Sequence, residues 1–279
     1  AFCIVNSKLI NGGIHMKVYI SVDIEGVTGI NAWIETELGT QEHSIFREQM
    51  TKEAVAACEG AIEMGTKEIL LKDAHDSARN IYAAKLPRCA KIMRGWTYTP
   101  DSMVAGLDET FDAAIFVGYH SAAGYDGNPL AHTMNTKINH FKINGELSSE
   151  FMLNSYIAAG YGVPVVFLSG DKMLCEKAKE FNPGIKTVAV NEGIGGATVS
   201  INPEYACELI KDGVKNSLKH ISECKLVIPE KFEVEISFKD HKDAKRASYY
   251  PGVKQLSAHV VSYTAHNIDE LKTTRMFIM

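Results

Sequence analysis

Short β-type apolar runs alternate along the chain with longer stretches whose apolar residues recur at helical spacing, a pattern that predicts parallel strands joined by helical crossovers. Residues 18–22 read as a first strand and 43–64 as a long helix that Gly65 can close in a left-handed conformation. Residues 68–71 and 113–117 are β-type runs bounded by polar residues or glycine, and each leads into a turn that carries a histidine. The rhythm continues with a helix over 150–159, a strand over 163–168, a helix over 173–180 and a strand over 186–190. A helix over 204–218 follows, opened by Asn202 as cap and Pro203 at the first position.

After Cys224 the pattern changes, because residues 232–238 alternate strictly, as a half-exposed antiparallel strand does, and 257–263 can pair with them. The predicted fold class is therefore α/β, a mainly parallel sheet flanked by helices, with a small C-terminal α+β portion. The expected organisation is an α/β domain over 16–225 and the smaller portion over 226–279. Residues 1–15 read as an upstream extension or cloning remnant, with Met16 as the natural start, because Met16 leads at once into the first strand. The apolar patch within 1–15 is too short for a signal segment or a membrane span.

Composition narrows the function classes. The chain has 279 residues, 46% of them hydrophobic and 23% charged, enough to bury a large core without disulfides or structural metal, so metal-ligating residues are read as functional. With 29 basic and 34 acidic residues the net charge is −5, which argues against a general nucleic-acid binder or a membrane adaptor and favours small substrates. Six cysteines stand 17 or more residues apart with no CxxC pair, which disfavours a thiolate zinc site and fits reduced thiols in a cytoplasmic protein. No GxGxxG follows the first strand and no GxxxxGK[ST] is present, so Asn191-Glu192-Gly193-Ile194-Gly195-Gly196 reads as a turn, one that can equally border an active site.

Ligands of open α/β sheets bind beyond the carboxyl ends of the strands, and three strand ends carry candidate chemistry. In Ser21-Val22-Asp23-Ile24-Glu25-Gly26, the two acids are two residues apart and point to one side of an extended chain. Two anions so placed repel unless a cation or shared proton intervenes. His75 follows the second strand and His120 the third. A lone strand-end histidine is commonly structural, but two of them facing a carboxylate pair form an oxygen and imidazole set suited to zinc or a similar divalent ion. A second metal needs another acid, for which Glu150 and Glu146 compete; either also suits a helix N-terminus. His132, in a loop-like stretch after Gly124, Gly127 and Pro129, is a candidate general base or acid, whereas His43 and His140 read as surface or packing residues.

The ordered set Ser21 to Gly26, Asp73-Ala74-His75, Gly118-Tyr119-His120, Ala131-His132-Thr133-Met134 and Glu150 with Leu153-Asn154 resembles the zinc-dependent D-aminopeptidases of the DppA type, from Met16 to the tail. The resemblance implies a two-zinc centre held by Asp23, Glu25, His75, His120 and Glu150, with His132 as the catalytic residue. Around Glu150 the chain departs from the family pattern. Glu150 is preferred to Glu146 because Leu153-Asn154-Ser155-Tyr156 continues the match. The resemblance further implies hydrolysis of short peptides with an N-terminal D-residue and a ring-shaped homo-oligomer, a decamer; composition and charge lead to the expectation of no nucleic acid or membrane partner. Alternatives are a dimetal amidohydrolase or aminopeptidase acting on L-peptides, amides or phosphate esters, or a non-catalytic small-molecule-binding protein.

Overall fold

The computed structural model describes residues 16–279 together with Leu9–Ile10 and Gly13–Ile14, which pair antiparallel. The extension expected over 1–15 otherwise lies outside the described residues. The core of the molecule is a seven-stranded sheet. It contains β1 (Met16–Val22), β2 (Thr66–Asp73), β3 (Ala90–Met93), β4 (Ala113–Tyr119), β7 (Val165–Asp171), β8 (Lys186–Ile194) and β9 (Ala197–Ser200). The order is β9-β8-β7-β4-β1-β2-β3, and all neighbours are parallel except the β8-β9 hairpin. From β1 the chain first builds outward through β2 and β3 and then returns to the other side to lay down β4, β7 and β8. The order thus reverses between β1 and β4, the place where such sheets open a ligand crevice.

Helix α1 (Gln41–Glu63) is capped by Thr40, whose side chain accepts from the His43 N–H, and α4 (Pro203–Ser217) by Asn202, whose side chain accepts from Glu204 and Tyr205. They bury Met50, Ala54, Ala57, Ala61, Ile210 and Val214 on the sheet face that carries Val18, Ile20 and Val22. The opposite face, carrying Tyr19, Phe116 and Tyr119, is covered by α2 (Glu150–Gly160), α3 (Lys172–Phe181) and a second sheet. Burial on both faces explains why β1 and β4 read as continuous apolar runs.

The second sheet is antiparallel, ordered β11-β12-β10-β5-β6, from β5 (Ile138–Ile143), β6 (Glu146–Leu147), β10 (Phe232–Phe238), β11 (Lys254–Gln255) and β12 (Val260–Ala265). The tail supplies three of these strands and the helices α5 (His241–Ala247) and α6 (Ile268–Ile278), but β5 and β6 come from the connection between β4 and α2. The sheet therefore spans both of the segments distinguished in the sequence, and Phe141, Phe232 and Ile236 share one core with Phe151 and Leu168. Among the described residues no helix is long and apolar enough to cross a membrane.

The crevice at the reversal depends on two glycines. The Asp23 N–H donates to Val117 O at 2.9 Å and the Gly26 N–H to Gly118 O at 2.9 Å, so the turns after β1 and β4 are laced backbone to backbone. A Cβ at Gly26 would stand 1.8 Å from Tyr119 O, and one at Gly118, whose φ is +71°, would stand 2.3 Å from Asp23 O. Gly118→Ala combines left-handed strain with overpacking and is expected to cost about 2–5 kcal/mol in denaturant unfolding. Wild-type stability in that variant would contradict the close approach.

Candidate metal centre

The three parallel strand ends place four of the predicted residues. Asp23 and Glu25 follow β1, His75 stands two residues beyond β2, and His120 comes directly after β4. Glu150 opens α2, whose cap is the Ser149 side chain accepting from the Met152 N–H, and His132 arrives on the loop between β4 and β5. All six side chains meet in one cluster. His75 Nδ1 lies 3.3 Å from Asp23 Oδ1 and 3.1 Å from Glu25 Oε2. His120 Nε2 lies 3.6 Å from Asp23 Oδ2 and 3.5 Å from Glu150 Oε2. His132 Nε2 faces Glu25 Oε1 at 3.9 Å and Glu150 Oε1 at 3.6 Å. Asp23 thus turns one oxygen to each of two histidines. Glu146, the competing acid, is exposed on β6 and outside the cluster.

Each imidazole is held from behind by a backbone carbonyl. His75 Nε2 bonds Thr36 O at 3.0 Å, His120 Nδ1 bonds Ser121 O at 2.9 Å, and His132 Nδ1 bonds Leu130 O at 2.9 Å. A carbonyl only accepts, so the nitrogen facing it carries the proton, and in the neutral ring the lone pair points into the cluster. That is the arrangement by which outer partners orient metal-binding histidines. His132 also stacks on His120, with ring centres 4.3 Å apart, and takes the edge of Trp33 at 5.3 Å.

Burial makes this cluster electrostatically demanding. Asp23, Glu25 and Glu150 are at most 3% exposed. Desolvation, then the Glu25 charge, pushes the Asp23 carboxyl well above its usual range. Burial would also raise Glu25 and Glu150, but His75 beside the first and His120 beside the second hold them below it, Glu150 at about 2. Desolvation opposes charge on His75 and His120 as well, yet the facing carboxylates raise both well above the ordinary imidazole value. His132 goes the other way, lowered by burial and by His120. Without a cation, then, His75, His120 and Asp23 hold protons more readily than exposed groups of their kind, and His132 less readily. Glu25 Oε2 and His120 Nε2 are buried with no hydrogen-bond partner. Two buried atoms without partners, three carboxylates and two oriented imidazoles are a donor set that fits divalent cations once the protons leave. Two groups, Asp23 with Glu25 and His75, and Asp23 with His120 and Glu150, each bring their ligand atoms within 4.8 Å of one another.

Of the supporting residues, Ser21, Asp73, Tyr119 and Asn154 lie within the motifs quoted above, whereas Asn80, Ser121 and Asp171 stand outside any motif. Asp73 Oδ2 accepts from the Asn80 and Ile81 N–H groups at 2.6 and 2.8 Å, and Asn80 Nδ2 donates to His75 O at 2.8 Å, which fixes the turn bearing His75. His43, expected as surface or packing, is buried and holds Asn80 Oδ1 at 3.1 Å. Asp171 at the end of β7 accepts from both the N–H and the hydroxyl of Ser121 at 2.6 Å and also caps α3, clamping the turn after His120. Ser21, Tyr119 and Asn154 are linked by bonds of 2.7 and 3.3 Å beneath the cluster, joining β1, β4 and α2. His140 pairs with Glu235 at 3.0 Å in the second sheet, away from the cluster. The glycine-rich stretch turns at Gly195 between β8 and β9, and the Gly193 N–H donates to Gly127 O on the His132 loop.

The cluster forms the floor of a cavity of about 620 Å³ walled by Trp33, Trp96, Tyr98, Met134 and the end of α6. Lys72, fully buried below it and lowered to about 8 by desolvation, donates to Asp73 O and Gly95 O and lies over the Trp96 ring. A family model described as D-aminopeptidase matches residues 16–277. A curated D-aminopeptidase of Bacillus subtilis (strain 168) is 33% identical over 241 residues, covering 86% of this chain and 87% of its own length. Among solved structures, the Zn-dependent D-aminopeptidase DppA from Bacillus subtilis, described as a self-compartmentalizing protease, superposes with a TM-score of 0.88. That match is 30% identical and covers 94% of this chain and 96% of the other. Matched along almost all of its described length in sequence and in fold, the chain belongs to the D-aminopeptidase family.

Proposed function

We propose that this enzyme hydrolyses short peptides with an N-terminal D-residue, using two zinc ions held by Asp23, Glu25, His75, His120 and Glu150, with His132 as its proton-transfer residue. The observation that carries this reading is the position of Asp23, whose two oxygens face the two separate histidines of two ligand groups. The zinc dependence of the DppA relative supports the choice of metal. Bound divalent ions supply Lewis acidity, polarising a peptide carbonyl and making water a nucleophile at neutral pH.

The remaining work falls to side chains. With its Nδ1 proton on Leu130 O and its pKa lowered by burial, His132 is neutral at pH 7 and offers Nε2 as a base. Nε2 takes a proton from the attacking water and returns it to the leaving amine, a contribution of about 10²- to 10⁴-fold. Stacking on His120 and the Trp33 edge keeps that ring from turning away. Glu150 Oε1, which accepts from the Met134 N–H at 2.7 Å, ties the His132 loop to the start of α2. A second reading draws on the group Glu25, His120 and His132, whose ligand atoms also converge; in it His132 is a ligand. By analogy with the self-compartmentalizing relative, the enzyme assembles into a ring-shaped homo-oligomer, a decamer, to be checked by light scattering as a mass of ten chains.

His75→Ala and Asp23→Ala are expected to lose both bound zinc and D-alanyl dipeptide hydrolysis, and either variant retaining both would contradict the ligand set. His132→Ala should keep its zinc by elemental analysis while kcat falls about 10²- to 10⁴-fold; concurrent loss of metal would favour the second reading. A panel of D- and L-aminoacyl substrates reads the selectivity, with hydrolysis confined to L-substrates contradicting the D-preference.

Protons and metal compete for the same atoms. The raised His75 and His120 values mean that the metal-free protein gains stability from their protonation below pH 6.5 and loses it as pH rises through their folded values. Zinc must displace those protons, so its affinity rises with pH, and adding zinc in weak buffer at pH 7 should acidify the solution. Zinc uptake without proton release, or tightening as pH falls, would contradict the protonated metal-free cluster.

A further inference from the structure

Arg275, near the end of α6, lines the same cavity as Glu150 and His132 and is only 5% exposed. Among the described residues its one hydrogen-bond acceptor is Pro100 O, 2.6 Å from Nη2, and Nε is buried with no partner. No carboxylate among the described residues reaches ion-pair distance of it. Lys272, one turn earlier, is in a different position, with Asp101 at 2.8 Å and Asp269 at 3.0 Å. The negative groups nearest in the field of Arg275 are otherwise engaged. Asp101 accepts from Lys272 and Tyr161, and Glu150 from Met134 while facing His120 and His132. A guanidinium only 5% exposed, whose buried Nε has no partner, is costly to fold around unless an anion joins it during function.

That anion must enter the cavity, since the cavity is what Arg275 borders. Building on the peptidase reading above, we propose that Arg275 binds the free C-terminal carboxylate of the substrate, selecting peptides short enough to reach from the acid–histidine cluster to this guanidinium. The planar fork of arginine matches a carboxylate with paired, charge-assisted hydrogen bonds. A volume of about 620 Å³ suits a two- or three-residue peptide rather than a folded chain. Met134, Met276 and Met279 line the same cavity as adaptable apolar side chains, and Arg275 is the only lysine or arginine among its described lining residues.

The test compares the zinc-loaded enzyme on D-Ala-D-Ala and on D-alanyl-D-alaninamide, which differ in the terminal charge. The wild type should favour the acid in kcat/KM by about 10- to 100-fold, chiefly through KM, as expected for a charge-assisted contact. In Arg275→Gln the ratio should fall to near one, and Arg275→Lys should restore part of it. The ratio is unaffected by the fraction of variant that folds. Calorimetry with the uncleavable analogue in which CH₂–NH replaces the peptide bond should show the same acid-over-amide preference in affinity, and its loss in Arg275→Gln. A wild type indifferent to the terminal charge, or an Arg275→Gln variant that keeps the preference, overturns the assignment while leaving the hydrolase intact. Failure to cleave either peptide overturns the peptidase reading and this inference with it.

Discussion

Asp23, Glu25 and Glu150 are at most 3% exposed, and their oxygens surround the same pair of imidazole nitrogens. Two unit charges 4 Å apart repel by about 4 kcal/mol at an effective dielectric of 20, so three such charges left bare would consume much of the roughly 5–15 kcal/mol by which a domain is stable. The fold can exist with this cluster only if positive charge enters it. Protons on His75, His120 and Asp23 are one solution, and divalent cations in the same positions are the other. Exchange between the two links the chemistry of the centre to the stability of the chain.

The surrounding structure holds that cluster in place. Its side chains come from three neighbouring strand ends and one helix start, so they are only as well aligned as β1, β2, β4 and α2 are with one another. Backbone lacing through Gly26 and Gly118 fixes β1 against β4, and the Ser21–Tyr119–Asn154 bonds tie α2 beneath them. Asp73 and Asp171 order the turns carrying His75 and His120, and three carbonyls aim the imidazoles. The second sheet acts from further away, because β5 and β6 deliver the chain from the His132 loop to Ser149 and Glu150.

Much of this was legible in the sequence, for identifiable reasons. Strands buried on both faces are nearly continuous apolar runs, so β1 and β4 were readable, and the acids and histidines at strand ends stand out because polar groups there interrupt such runs. The second sheet was only half visible. Residues 232–238 alternate over seven positions, whereas β5 breaks its alternation at Asn139-His140 and β6 has two residues, too short to show a period. The helix α6 was unread, and Arg275 with it, since a basic residue in a last helical turn ordinarily serves the helix dipole and gives no sign of facing a cavity. Supporting groups such as Asn80, Asp171 and the three carbonyls act through long-range geometry that spacing along the chain does not encode.

In the proposed centre Asp23 is shared between two metal positions. A crystal structure of the zinc-loaded enzyme, with anomalous scattering recorded on both sides of the zinc edge, tests it most directly. Two zinc peaks are expected, one among Asp23, Glu25 and His75 and one among Asp23, His120 and Glu150, with an oxygen of Asp23 on each. A single peak held by Glu25, His120 and His132, or zinc peaks none of which touches Asp23, would contradict it.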